Sequence, residues 1–129
     1  MEVLYRSTRG NGSTVTASNA ILKGLSEDGG LFVPDQIPVL DVPMEQLAQM
    51  SYQEVAYEVM SRFLTDFTEE ELKKCIQSAY DKKFDTDVIA PLVKADGAYY
   101  LELFHGSTIA FKDMALSILP YPLTTAAKK

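Results

Sequence analysis

Residues 51–83 read SYQEVAYEVMSRFLTDFTEEELKKCIQSAYDKK. Ser51 and Glu54 stand at the spacing of a capping box, in which the hydroxyl and the carboxylate each satisfy a backbone N–H at the start of a helix. Tyr52, Val55, Ala56, Val59, Met60, Phe63 and Leu64 then fall on one face, the stripe of a helix packed on a core. Thr68 and Glu71 repeat the box ahead of a second stripe, Leu72, Cys75, Ile76, Ala79 and Tyr80. Acids crowd its first turn and Lys82 and Lys83 follow its end, as the helix dipole favours. Cys75 lies within the stripe and reads as packing.

On the N-terminal side, residues 3–5 read as a short strand that ends in the polar, glycine-rich run 6–12, RSTRGNG. Ala17, Ala20, Ile21, Gly24 and Leu25 repeat at helical spacing until Asp28, Gly29 and Gly30 stop the pattern. Residues 31–33 read as a strand closed by Pro34, and Pro34, Pro38 and Pro43 make the next stretch a surface connection. Towards the C-terminus, residues 92–94 and 99–104 read as strands joined at Asp96-Gly97, a dipeptide suited to a tight hairpin. Phe111, Met114, Ala115, Leu116, Ile118 and Leu119 predict a last helix, apolar almost all round, which Pro120 ends. The expected fold class is α/β in an α+β-like form, several helices with a small sheet. Gly10 and Gly12 lack the third glycine and the preceding long strand of a dinucleotide fingerprint.

The 129 residues suffice for one ordinary core, so 1–129 is expected to be a single domain. Hydrophobic content of 47% with 23% charged residues is that of a water-soluble domain, and no apolar run nears the roughly 20 residues of a membrane span. Tyr5, Arg6, Ser7, Thr8 and Arg9 occupy the place of a secretory apolar region, which points to the cytoplasm. One cysteine and one histidine leave too few ligands for a zinc site. Eighteen acidic against 12 basic residues, net −6, argue against nucleic acid or an anionic membrane as partner. An anionic substrate then needs a local basic cluster. Arg6 and Arg9, with Ser7, Thr8 and the loop glycines, are candidates, because guanidinium forks match phosphate oxygens. Solvated arginines beside a strand are the plain alternative.

Lys112 lies on the apolar last helix, and two states are open to it. Buried without a partner, its ammonium would shed the proton and become a nucleophilic amine. Alternatively the ammonium reaches water while the methylenes pack.

The stretch Leu103-Phe104-His105-Gly106-Ser107-Thr108-Ile109-Ala110-Phe111-Lys112-Asp113 resembles the cofactor-lysine motif of threonine synthases, F-H-G-P-T-x-A-F-K-D. Tyr5-Arg6-Ser7-Thr8-Arg9-Gly10 and Gly24-Leu25-Ser26-Glu27-Asp28-Gly29-Gly30-Leu31-Phe32-Val33-Pro34 resemble the opening of the same family, in the same order. Ser107 departs from the commoner proline; it frees an N–H, and with Thr108 remains suited to starting a helix. A second departure is that the sequence stops at Lys129, where the family continues into a large parallel α/β body.

The resemblance implies the N-terminal part of a fold type II enzyme using pyridoxal 5'-phosphate, with Lys112 holding the cofactor as a Schiff base and moving protons. Phe111 would pack behind the cofactor ring; core packing at the start of a buried helix is the plain reading and is compatible with that role. The substrate implied is O-phosphohomoserine, converted with water to threonine and phosphate; Arg6, Arg9, His105, Ser107 and Thr108 are candidate substrate contacts. His105 could also orient its loop or bond a backbone group. The C-terminal catalytic body is the implied partner, and without it the chain is expected to be inactive and to self-associate or fray through its apolar last helix. Two other readings stand: a dehydratase or synthase using the same cofactor, whose lysine motif runs closer to S-x-K where this chain has Ala110, and a noncatalytic binding module.

Overall fold

The computed structural model describes residues 2–10 and 12–129. Asn11 of the glycine-rich run and Met1, at the head of the expected domain, lie outside them.

β1 (Tyr5–Ser7) is the middle strand of a three-stranded antiparallel sheet, between β2 (Thr14–Val15) and β3 (Phe32–Pro34). It begins two residues later than the sequence suggests, because its polar end is the paired part. Arg6 faces Thr14 on one side and Val33 on the other. Between β2 and β3 runs α1 (Ala17–Lys23), capped by Thr16, whose hydroxyl accepts from the Asn19 N–H. Gly24 closes it at φ +69.

The proline-rich connection carries one unexpected helical turn, α2 (Met44–Leu47), directly after Pro43. The two capping boxes behave as read. α3 (Tyr52–Phe63) starts on Ser51 and α4 (Glu69–Ala79) on Thr68, with both reciprocal hydrogen bonds present in each. α4 supplies the centre of the core, with Ile76, Ala79 and Tyr80 buried against Phe84, Ile89 and Ile118. Tyr52, Ala56 and Met60 of α3 pack on this cluster, and a second one joins Ala17, Phe67, Leu72 and Ala126. Ile76 is 1% exposed, so truncating it to alanine removes about 2–5 kcal/mol of stability. Cys75 is free and buried, as its place in the stripe requires.

β4 (Leu92–Ala95) and β5 (Ala98–Leu101) form the expected hairpin. Asp96 and Gly97 take φ +48 and +78, the positive pair that a two-residue turn between twisted strands demands.

The last helix departs from expectation. It divides into α5 (Asp113–Leu116) and α6 (Pro120–Ala126), and Pro120 opens α6 where the sequence suggested a stop. Proline lacks the N–H that a first helical turn leaves unused, and its fixed φ suits that position. The apolar run is also not buried on all sides: Met114 and Ile118 join the core, whereas Leu116 and Leu119 are about half exposed. Among the described residues no helix is long and apolar enough to cross a membrane.

Candidate active site

Beyond β5 the chain runs through residues 102–112 in irregular conformation, fastened at both ends. At the first end His105 sits between two acids. Nδ1 is 2.6 Å from Oδ1 of Asp85 and Nε2 is 2.8 Å from Oε2 of Glu102. The Asp85 N–H also donates to the His105 carbonyl at 3.0 Å, so the loop after α4 grips this residue by side chain and backbone. Hydrogen bonding to Glu102, then to Asp85, raises the His105 pKa against the opposing effect of partial burial. The phenyl ring of Phe104 leans on the imidazole at 4.6 Å between centroids. The two acids stand at opposite ring nitrogens, and among the described residues no cluster of His, Cys, Asp and Glu is arranged for a metal ion.

At the other end, the buried Asp113 turns back into the loop. Its Oδ2 accepts from the Thr108 N–H and its Oδ1 from the Thr108 hydroxyl, both at 2.7 Å. The Thr108 hydroxyl chiefly holds the Asp113 pKa below the usual carboxylate range, with smaller help from backbone N–H groups and the Lys112 charge. Gly106 is buried against this clip; a Cβ there would stand 2.5 Å from Asp113 Cβ and 2.7 Å from its Oδ2. Between the fasteners Ile109 adopts φ +58, a left-handed conformation that a β-branched residue rarely takes.

Lys112 stands at the N-cap position of α5 with its side chain exposed. Of the two states open to Lys112, this chain shows the one in which the amine reaches solvent. α5 is a single turn whose inward face is taken by Asp113 and Met114, and Lys112 is left on the outward one. Phe111 beside it is 75% exposed and so serves no core here. Ser107 and Thr108 do not start the helix. Ser107 is exposed and Thr108 binds Asp113, the residue at which α5 begins.

His105, Ser107, Thr108, Phe111 and Lys112 thus belong to one fastened loop, while Arg6 belongs to β1 of the three-stranded sheet and Arg9 to the turn that follows it. Arg6 is exposed on β1. Arg9 donates through Nη1 to the Asp28 carbonyl at 3.1 Å, and Ser7 donates to Oδ1 of Asp28 at 2.7 Å. That Ser7 bond, followed by one from the Gly30 N–H, depresses the Asp28 pKa. The 24–34 segment therefore closes onto the RSTRG turn.

Residues 4–80 match the family described as threonine synthase N terminus. The chain belongs to the threonine synthase family. It is 43% identical over 122 residues to a threonine synthase of Schizosaccharomyces pombe, covering 92% of this chain and 24% of that protein. Identity to the threonine synthase of Pseudomonas aeruginosa is 38% over 120 residues, covering 89% of this chain and 25% of the relative. The crystal structure of PLP-bound threonine synthase from Brucella melitensis superimposes with a TM-score of 0.85 at 34% identity, over 98% of this chain and 28% of that one. The chain thus spans about a quarter of the length of the relatives it matches, and it has the mixed helix and small-sheet fold of their N-terminal part. Three contributors to the threonine synthase loop escape sequence reasoning: Asp85, Glu102 and the carboxylate clip of Asp113. Asp113 was visible as the last letter of the lysine motif, but its partner five residues earlier was not, because Thr108 suggested a cap.

Proposed function

We propose that this chain supplies the cofactor-lysine segment of a threonine synthase that uses pyridoxal 5'-phosphate to convert O-phosphohomoserine and water into threonine and phosphate. The observation that carries the reading is Lys112 itself, an exposed amine on a loop fastened on both sides, in a chain similar to a PLP-bound threonine synthase. The residues present fit the group. Lys112 offers an accessible amine to an aldehyde, Phe111 offers an exposed ring beside it, and the neighbouring carboxylate is turned inward onto Thr108.

Lys112 would hold the cofactor covalently and Phe111 would lie against its ring. When bound, the cofactor supplies an electron sink for the carbon skeleton of the substrate. Freed from the cofactor when the substrate amine takes its place, Lys112 Nζ would accept and return the protons that move between substrate carbons. Thr108 is committed to Asp113, so its part is to aim the lysine loop; Ser107, exposed beside it, keeps a free hydroxyl for substrate. His105 has both ring nitrogens engaged and holds the loop. Arg6, exposed on the sheet, is the better placed arginine for the substrate phosphate, because Arg9 is tied to Asp28.

Residues 1–129 act as one N-terminal domain in the cytoplasm and depend on a catalytic body for the remaining contacts, so that the isolated chain has little or no activity. The exposed apolar side chains of Ile109, Phe111, Leu116 and Leu119 support such a dependence, and support self-association when they stay uncovered.

The test is phosphate and threonine production from O-phosphohomoserine by the full-length gene product, wild type against Lys112→Ala, together with borohydride fixation of pyridoxal phosphate. Wild type is expected to form both products and to carry the reduced pyridoxyl group on Lys112, and the variant neither. Fixation on a different lysine in active wild type would overturn the assignment of Lys112.

A further inference from the structure

We infer that His105, held as an imidazolium between Asp85 and Glu102, is the positioning residue of the lysine loop, and that removing its charge loosens the segment that presents Lys112. The inference rests on the reading of Lys112 as the cofactor lysine only for its functional consequence; the geometry stands without it.

A carboxylate accepts hydrogen bonds and donates none. His105 nevertheless has a carboxylate oxygen within bonding distance of each ring nitrogen, 2.6 Å at Nδ1 and 2.8 Å at Nε2. A neutral imidazole carries one proton and would satisfy only one of the two, leaving a lone pair facing an anion at the other. Only the doubly protonated ring donates to both, and it alone is attracted to both charges. The charged groups that face it are Asp85, from the segment after α4, and Glu102, at the exit of β5. The imidazole is thereby unsuited to act as a base at neutral pH and suited to be a fixed cation.

What the cation fixes follows from the chain. Asp85 is fastened to the core by its neighbour Phe84, which is 5% exposed in the main cluster. His105 is followed at once by Gly106, which lies against Asp113 with no room for a side chain. Asp113 holds Thr108 and leads directly into the turn that bears Lys112. The strained backbone of Ile109 lies between these two fasteners, and a left-handed β-branched residue persists only where its surroundings over-determine it. The His105 clamp and the Asp113 clip are those surroundings. Thr108, Ile109 and Asp113 all have N–H groups bonded within the segment, to Asp113, Gly106 and Ala110 respectively, so hydrogen exchange reports on its order.

The experiment combines histidine-selective isotope labelling of the full-length protein with hydrogen exchange of residues 106–113, normalised for the intrinsic effect of pH. The His105 signal is assigned by its absence in His105→Gln. Expected are an imidazole with both nitrogens protonated at pH 7 and a lowered midpoint in Asp85→Asn and in Glu102→Gln. Exchange of the segment should be about tenfold faster in His105→Gln at pH 6, and His105→Lys, which keeps a cation, should recover part of the protection. Wild type should approach the glutamine variant as pH rises through the His105 midpoint. A neutral single tautomer at pH 6, or equal protection in wild type and His105→Gln at every pH, would overturn the inference. Neither readout needs cofactor, so failure of Lys112 to take up pyridoxal phosphate would sink the proposed function while leaving this result to be judged by itself.

Discussion

The hydroxyl of Tyr80 donates a 2.7 Å hydrogen bond to the carbonyl of Met114, two residues beyond Lys112. Tyr80 follows the last residue of α4, and its ring packs edge-on against Tyr52 at 4.8 Å and tilted against Phe84 at 6.1 Å. Burial raises its pKa well beyond the ordinary tyrosine value, so the hydroxyl stays protonated as a donor. The central helix therefore reaches directly to the single turn that carries the lysine.

Tyr80→Phe keeps the ring and removes the donor. We expect a loss of about 1 kcal/mol in urea unfolding, with the denaturant slope unchanged, because the bond to the Met114 carbonyl is removed and no cavity is made. Tyr80→Ala should lose several-fold more, since it also empties the centre of the cluster. Equal losses in the two variants would show that the hydroxyl contributes nothing beyond packing.

Gly106→Ala should loosen the lysine loop even though alanine is the smallest possible change. The added methyl meets the Cβ and carboxylate of Asp113, neither of which can retreat without abandoning Thr108. Gly12→Ala provides the contrast, since its Cβ would enter open space and only the positive φ of +78 opposes it. Borohydride fixation of pyridoxal phosphate at Lys112 should fall at least tenfold in the first variant and stay near wild type in the second.

The two fasteners of the loop respond to pH with opposite sign. The Asp113 pKa is depressed in the folded chain, so its contribution is complete above the unfolded value of about 3.9 and is lost as pH falls through the folded one. The His105 pKa is raised, so its contribution is complete below about 6.5 and is lost as pH rises through the folded value. Normalised protection of residues 106–113 should therefore be highest between about pH 4 and 6.5. Asp113→Asn should reduce the acid-side change, and His105→Gln should abolish the alkaline-side change.

Helix starts offer a calibration outside the lysine loop. Ser51→Ala and Thr68→Ala each remove a side-chain acceptor for the third helical N–H, at 3.3 and 3.2 Å, and should each reduce stability by about 1 kcal/mol. The sites lie on different helices, so the double variant should lose close to the sum. A clear departure from additivity would mean that α3 and α4 do not start independently.

What could be read from the sequence was what local rules decide. Ser51 with Glu54 and Thr68 with Glu71 specify their helices by contacts within one turn, and Asp96-Gly97 specifies its hairpin by two backbone angles. The lysine segment yields to no such rule. Periodicity marked residues 111–119 as apolar but could not say on which side a packing partner lies, and Pro120 is compatible with either end of a helix. The clamp on His105 joins residues 20 apart in sequence and the Tyr80 bond residues 34 apart. Family motifs located Lys112 and the RSTRG turn; physical pattern alone left the exposure of the lysine undecided.

The β4–β5 hairpin consequently gives the chain an order of assembly. Its ladder pairs residues no more than nine positions apart, from Leu92↔Leu101 to Ala95↔Ala98, around a turn whose angles Asp96 and Gly97 favour. Such a hairpin closes in about 1–10 μs, before distant partners have met. Glu102 is tied to that local element, whereas Asp85 and Tyr80 take their positions only with α4 packed in the core. The lysine loop, with its left-handed isoleucine, draws its fasteners from both of these elements and is expected to be set after them, so its ordering would report that both are in place.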